Sequence, residues 1–95
     1  MAKIHWTQEA YSNLAQAISF AEANHPKNWT EKLKSTVREL QEKTERNEIV
    51  PRRKGRVAGI EEIDFVPLPF LLVVRETTVG DFEFIALLHK SRKYP

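Results

Sequence analysis

The sequence predicts an α+β domain in the order β-α-α-β-β-β: a short N-terminal strand, an antiparallel helical hairpin, then an antiparallel sheet. Three observations predict it. Apolar residues recur at spacings of three and four through two segments of the first half, which is the period of a helix with one buried side. Only a short break separates the two segments, so the helices pair and each buries one stripe. Beyond Gly59 the pattern becomes short apolar runs bounded by turn residues, as in strands.

Lys3 to Trp6 reads as a short strand with Ile4 and Trp6 on one face. Thr7 is a good N-cap for a first helix, whose stripe is Ala10, Leu14, Ala17, Ile18 and Ala21. Asn24-His25-Pro26 breaks it, because a residue before proline disfavours helical angles. Pro26 can open the second helix, where its missing N–H costs nothing, and Trp29, Leu33, Val37 and Leu40 form that helix's stripe.

Asn47, Pro51, Gly55 and Gly59 punctuate a connecting segment. Ile60 to Val66 is a strand with Ile63 and Phe65 set against Glu62 and Asp64. Pro67-Leu68-Pro69 is a turn or bulge, since Pro69 lacks a ladder donor. Phe70 to Val74 is apolar on both faces, as a covered central strand is. Thr77 to Asp81 connects a hairpin. The last strand, Phe82 to His89, sets Phe82, Phe84, Ala86 and Leu88 against Ile85 and Leu87. A helical hairpin covers one face of a small sheet, so the second face needs a cover of its own. A bound partner is the favoured cover, ahead of loops and chain ends.

With 95 residues the chain fits one domain, taken as 1–95. It has no cysteine, which excludes disulfides, thiolate catalysis and cysteine zinc sites. His5 and His25 lack metal-ligand spacing, so neither a metal nor another cofactor is expected. No apolar run reaches the roughly 20 residues of a membrane span. The N-terminus lacks a basic segment followed by an apolar stretch, so a cytoplasmic location without membrane contact is expected. Net charge is only +2, but Arg52, Arg53, Lys54 and Arg56 crowd into one short segment, and Lys90, Arg92 and Lys93 into the tail. Such runs suit an acidic protein surface or nucleic acid, although as often they are a solvated connector. No aromatic residues interleave with the first run, which weakens a base-stacking role.

Ordered local motifs from Trp6 to Pro95 resemble the RelE/ParE superfamily of toxins, nearer the ParE branch. Trp6-Thr7-Gln8-Glu9-Ala10 with Leu14 and Ile18 is similar to that family's opening "W-T-x-x-A…L…I". Asn24-His25-Pro26 resembles "N-x-P" between the helices, and Gly55-Arg56-Val57 resembles "G-R-x-V" before the sheet. Leu68-Pro69-Phe70 through Arg75 is similar to "L-P-Y-x-x-x-Y-R". Ile85 to Pro95, with His89, Arg92 and Tyr94, resembles the ParE ending "I-L-R-V-L-H-x-x-R-x-W/Y-P" and is the most specific match.

The resemblance implies the toxin of a type II toxin–antitoxin system, held silent in a hetero-oligomer by an acidic antitoxin, typically of ribbon-helix-helix type. ParE toxins poison DNA gyrase and stabilise plasmids, whereas RelE toxins cut messenger RNA in the ribosome. Cutting by this fold requires a base, an acid, and cations to stabilise charge on the phosphorane. The positions matched to the RelE cations are Glu62, Asp64 and Leu71, and a carboxylate there repels the phosphate. The resemblance therefore favours a gyrase-binding toxin without catalysis. If the chain is a nuclease, His89, Arg92, Tyr94 and Arg56 are its candidate residues, with Arg75 as another clamp for the phosphate. The other reading of His89 and Tyr94 is structural. A third possibility is a superfamily member that binds an antitoxin and is not toxic. Contacts to antitoxin or target are expected at Arg52, Arg53, Lys54, Arg56, Arg75, Lys90 and Arg92. Glu61-Glu62 departs from the family's frequent arginine-glutamate pair, so any contact made by that arginine must differ. Trp6 and Trp29 are read as core.

Overall fold

The computed structural model describes the chain except for residues 1–2, 25–27, 47, 49–51, 56–57, 66–67, 79–80 and 91–95; the side chains of Arg53 and Thr78 are also not described. The predicted order of elements is present: β1 (Ile4–Trp6), α1 (Gln8–Asn24), α2 (Trp29–Glu45), β2 (Arg53–Lys54), β3 (Glu61–Asp64), β4 (Phe70–Thr78) and β5 (Asp81–His89). The five strands form one sheet in the order β1-β5-β4-β3-β2. β2, β3, β4 and β5 pair antiparallel in turn, as expected of the three that the sequence predicts. The first strand joins β5 in parallel, which makes the sheet mixed.

The helices form for the reasons the sequence supplies. Thr7 caps α1 by accepting the Ala10 N–H at 3.0 Å. Ala10, Ala17 and Ala21 are buried, and their small side chains let α1 lie close to its neighbours. The stripe of α2 is wider than expected: Thr30 and Thr44 are buried with Leu33 and Leu40, while Trp29 and Val37 are half-buried. Asn28 precedes α2 without a side-chain cap. Pro26, read as opening that helix, lies outside the described residues. At the far end the Glu48 carboxylate accepts from Arg46 Nε at 2.6 Å, and this bond raises the Arg46 pKa.

Two stretches depart from expectation. Arg53 and Lys54, read as connector, pair with Glu62 and Glu61 as a two-residue edge strand. A short, charged edge strand protects a sheet from pairing with another chain, so its composition resembles a loop. Gly55 closes this turn by donating to the Ile60 carbonyl at 2.8 Å, and a Cβ there would meet Ile60 at 2.9 Å. The second departure is a β-bulge. Val73 faces Ala86 but Val74 faces Phe84, leaving Ile85 as an extra residue. The alternation therefore switches phase. Phe82 and Phe84 share the helix side with Leu87 and His89, while Ala86 and Leu88 lie on the other side, against the grouping the sequence implied.

The main core lies between helices and sheet, around Leu33, Phe65, Leu72, Val74 and Phe84. The second face carries a smaller cluster of Leu71, Val73 and Ala86. These three are 4 %, 4 % and 7 % exposed in the isolated chain, which corrects the expectation that a partner is needed to cover them. Ile60, Ile85 and Leu88, which pack against them on that face, are half-buried.

Thr7 ties the bulge to the helix. Its hydroxyl donates to the Ile85 carbonyl at 2.8 Å while accepting the Ala10 N–H. Thr7→Val keeps the shape and removes both bonds. We expect a loss of about 1–2 kcal/mol in urea unfolding, with Thr7→Ser close to the parent. A Thr7→Val protein as stable as Thr7→Ser would rule out this role.

Candidate functional site

Two regions carry the residues singled out from the sequence: the sheet end around His89 and the second face of the sheet. β5 delivers His89 to the helix side, opposite Phe70 of β4. Its ring packs edge-on against Phe70, with centroids 5.5 Å apart, and against Phe20 of α1 at 6.2 Å. Trp29 closes the group, 6.2 Å from Phe70 and 6.5 Å from Phe20. Beside it lies a groove of about 470 Å³, walled by Asn13, Gln16 and Phe20 on one side and Phe70, Leu87 and His89 on the other. Asn13 fixes one wall, since its Oδ1 accepts the Leu87 N–H at 3.1 Å.

Sequence reasoning missed Asn13 and Phe20. Both stand outside the apolar stripe of α1, on a neighbouring line with Ala17, and Phe20 is 45 % exposed. The signal was available in the spacing of Asn13, Ala17 and Phe20. Trp29 packs against the core, as does Trp6, which meets Phe84 edge-on at 5.1 Å and stacks on Tyr11 at 5.2 Å.

On the second face, cross-strand pairing sets Glu62 beside Val73 and Asp64 beside Leu71. The three positions matched to nuclease cations thus lie together on one face. Glu62 and Leu71 are each 4 % exposed, and the Asp64 carboxylate is 3.3 Å from Lys90 Nζ. A slip of one residue in the match brings no cation, because the neighbours are Glu61, Ile63, Phe65 and Leu72, the last three buried on the helix side.

Of the cations singled out from the sequence, the described ones are dispersed, and Arg52, Arg75 and Lys90 are engaged. Arg52 lies 3.6 Å from Glu61 and 4.8 Å above the Phe82 ring. In the strand register Arg53 stands opposite Glu62 and Lys54, which is exposed, opposite Glu61. Arg75 pairs with Glu83. It lies five residues along β4 from Phe70, the strand partner of His89, and belongs to the opposite face, so His89 and Arg75 are not brought together. Arg56, Arg92 and Tyr94, and with them the proposed catalytic group around His89, lie outside the described residues, as does His25. Among the described residues, no three His, Asp or Glu side chains cluster as metal ligands do, and no helix is long and apolar enough to cross a membrane.

This sheet order, with a helical hairpin on one side, is the RelE/ParE-like α+β fold. Solved structures share it along nearly the whole chain. A chain of the chromosomal ParDE TA system from P. aeruginosa superposes with a TM-score of 0.67 and 17% identity, over 94% of this chain and 96% of that one. A histidine-to-glutamine mutant of YafQ from E. coli gives 0.61 and 12%, and the E. coli DinJ–YafQ complex gives 0.61 and 11%, each over 96% of both chains. At these identities the likeness establishes the fold. No protein-family model matches the sequence, and no curated protein matches it significantly.

Proposed function

We propose that this chain is the toxin of a type II toxin–antitoxin pair and acts in the cytoplasm by binding a protein target, DNA gyrase. An acidic antitoxin silences it in a hetero-oligomer. The fold shared with a ParDE system chain supports the toxin reading. The observation that carries the choice of a binder over a nuclease is the second face of the sheet. Glu62, Asp64 and Leu71 stand together where phosphorane charge would need cations. Lys90 there is engaged by Asp64, and Arg75 farther along by Glu83, so neither is a free counter-charge for a phosphate. Arg52, Arg53, Lys54, Arg56, Arg75, Lys90 and Arg92 remain the candidate contacts to antitoxin or target.

The test is a pair of assays on the purified protein. Loss of gyrase supercoiling, with ribosome-bound message left whole, is the expected result. Cleaved message with supercoiling intact would replace this reading by the endoribonuclease. Normal growth on expression without the antitoxin, with antitoxin binding retained, would replace it by the non-toxic binder.

A further inference from the structure

The outer side of the helical hairpin carries a groove that the proposed function does not use. It has a volume of about 420 Å³. Leu14 and Ile18 of α1 and Val37 of α2, all half-buried, form its floor. Its rim is charged in a definite order along α2: Lys34 and Arg38 towards the N-terminal end, Glu42 and Glu45 towards the C-terminal end.

Helix energetics do not account for this order. Anions favour the N-terminal end of a helix dipole and cations the C-terminal end, so Glu42 and Glu45 in the last turn stand against it, although Glu31 in the first turn and Lys43 in the last follow it. Lys34 and Arg38 are also like charges four residues apart, and Glu42 and Glu45 like charges three apart, both unfavourable on an isolated helix. None of the four forms an ion pair among the described residues, whereas nearby Lys43 pairs with Glu39 at 3.0 Å and Arg46 with Glu48. The four thus form no ion pair among the described residues, although Glu42 lies four residues from both Arg38 and Arg46 and acts electrostatically on Arg46.

We infer that the groove is a self-association surface on which α2 of a second copy packs antiparallel to α2 of the first. The charge order supports this occupant. Positions 34 and 45, and positions 38 and 42, lie almost symmetrically about residue 40. An antiparallel copy therefore sets Lys34 against the partner's Glu45 and Arg38 against the partner's Glu42, and the twofold axis repeats both pairs. The same contact covers the half-buried apolar floor. The stretch from Lys34 to Glu45 is about 17 Å long at 1.5 Å per residue, so the interface is small and the dimer weak and concentration-dependent.

Sedimentation velocity tests this on the whole chain. The wild type is expected to shift from monomer to dimer over about a hundredfold rise in concentration, and to shift back as salt screens the pairs. Lys34→Glu and Glu45→Lys alone should each weaken association about tenfold or more, because symmetry doubles every clash. The double variant, and an equimolar mixture of the two singles, should both associate as the wild type does. A wild type that stays monomeric throughout overturns the inference, even if a helical peptide of complementary charge occupies the groove. So does association that ignores both single reversals, or a double variant as impaired as the singles. Thermal melts of all variants confirm that the surface changes leave the fold intact.

Discussion

Phe84→Ala is expected to remove most of the stability of this domain. Phe84 is 1 % exposed and sits in β5 between Trp6 of β1 and Val74 of β4. Truncating such a ring loses its transfer energy and leaves a cavity that close-packed neighbours fill only in part, about 3–5 kcal/mol together. A chain of this length holds roughly 5–14 kcal/mol in total, so the loss is a large share of it. In melting temperature it corresponds to a fall of about 15–30 °C.

Truncation of the two leucines that follow tests the bulge at Ile85. With regular alternation, Leu88 would share the face of Phe84, and Leu87 would lie on the other. With the bulge, Leu87 is buried in the helix-side core at 4 % exposure and Leu88 is only half-buried on the second face. Leu87→Ala should therefore cost about 2–5 kcal/mol and Leu88→Ala clearly less. Equal or reversed costs in denaturant unfolding would mean that β5 keeps its alternation.

That bulge marks the limit of what was legible. The helical hairpin was read correctly because its signal is periodic and long, with the N-cap at Thr7 and the break after Asn24 in place. The three main strands were read from short apolar runs. Alternation, however, is a local rule, and a single inserted residue reverses it for everything downstream. The Ile85 carbonyl is held by the Thr7 hydroxyl, far away in sequence, and no local pattern contains that contact. The sheet edge at Arg53 and Lys54 was missed for another reason: three charged residues between Pro51 and Gly55 have the composition of a connector. The doubly apolar strands correctly announced burial on both faces. For Leu71, Val73 and Ala86 no partner is required, since apolarity says that water is excluded and not what excludes it. The acidic character of the candidate site, Glu62 and Asp64, was visible from the start; its gathering with Leu71 on one face needed the strand register.

His89 offers the sharpest division between binder and enzyme. The bulge turns its ring to the helix side, where it meets Phe70 and Phe20 edge-on. An imidazole in that setting acts as a small aromatic plate, and such ring pairs are worth about 0.5–1.5 kcal/mol each beyond the area they bury. On this basis His89→Phe keeps the packing, and growth arrest on induction should stay within a few-fold of the parent. His89→Ala should be less stable by about 1–3 kcal/mol, losing two ring contacts, with toxicity falling only as far as the folded fraction falls. A general acid has no such tolerance. Phenylalanine carries no proton to give, so a catalytic His89 would make His89→Phe lose about 10²–10⁴-fold in rate and with it the growth arrest. Measuring growth arrest and unfolding on both variants separates the two roles, because packing distinguishes His89→Phe from His89→Ala whereas loss of proton transfer inactivates both alike. A folded, stable His89→Phe protein without toxicity would move the chain to the nuclease branch of this fold, and would make the carboxylates at Glu62 and Asp64 the feature to be explained.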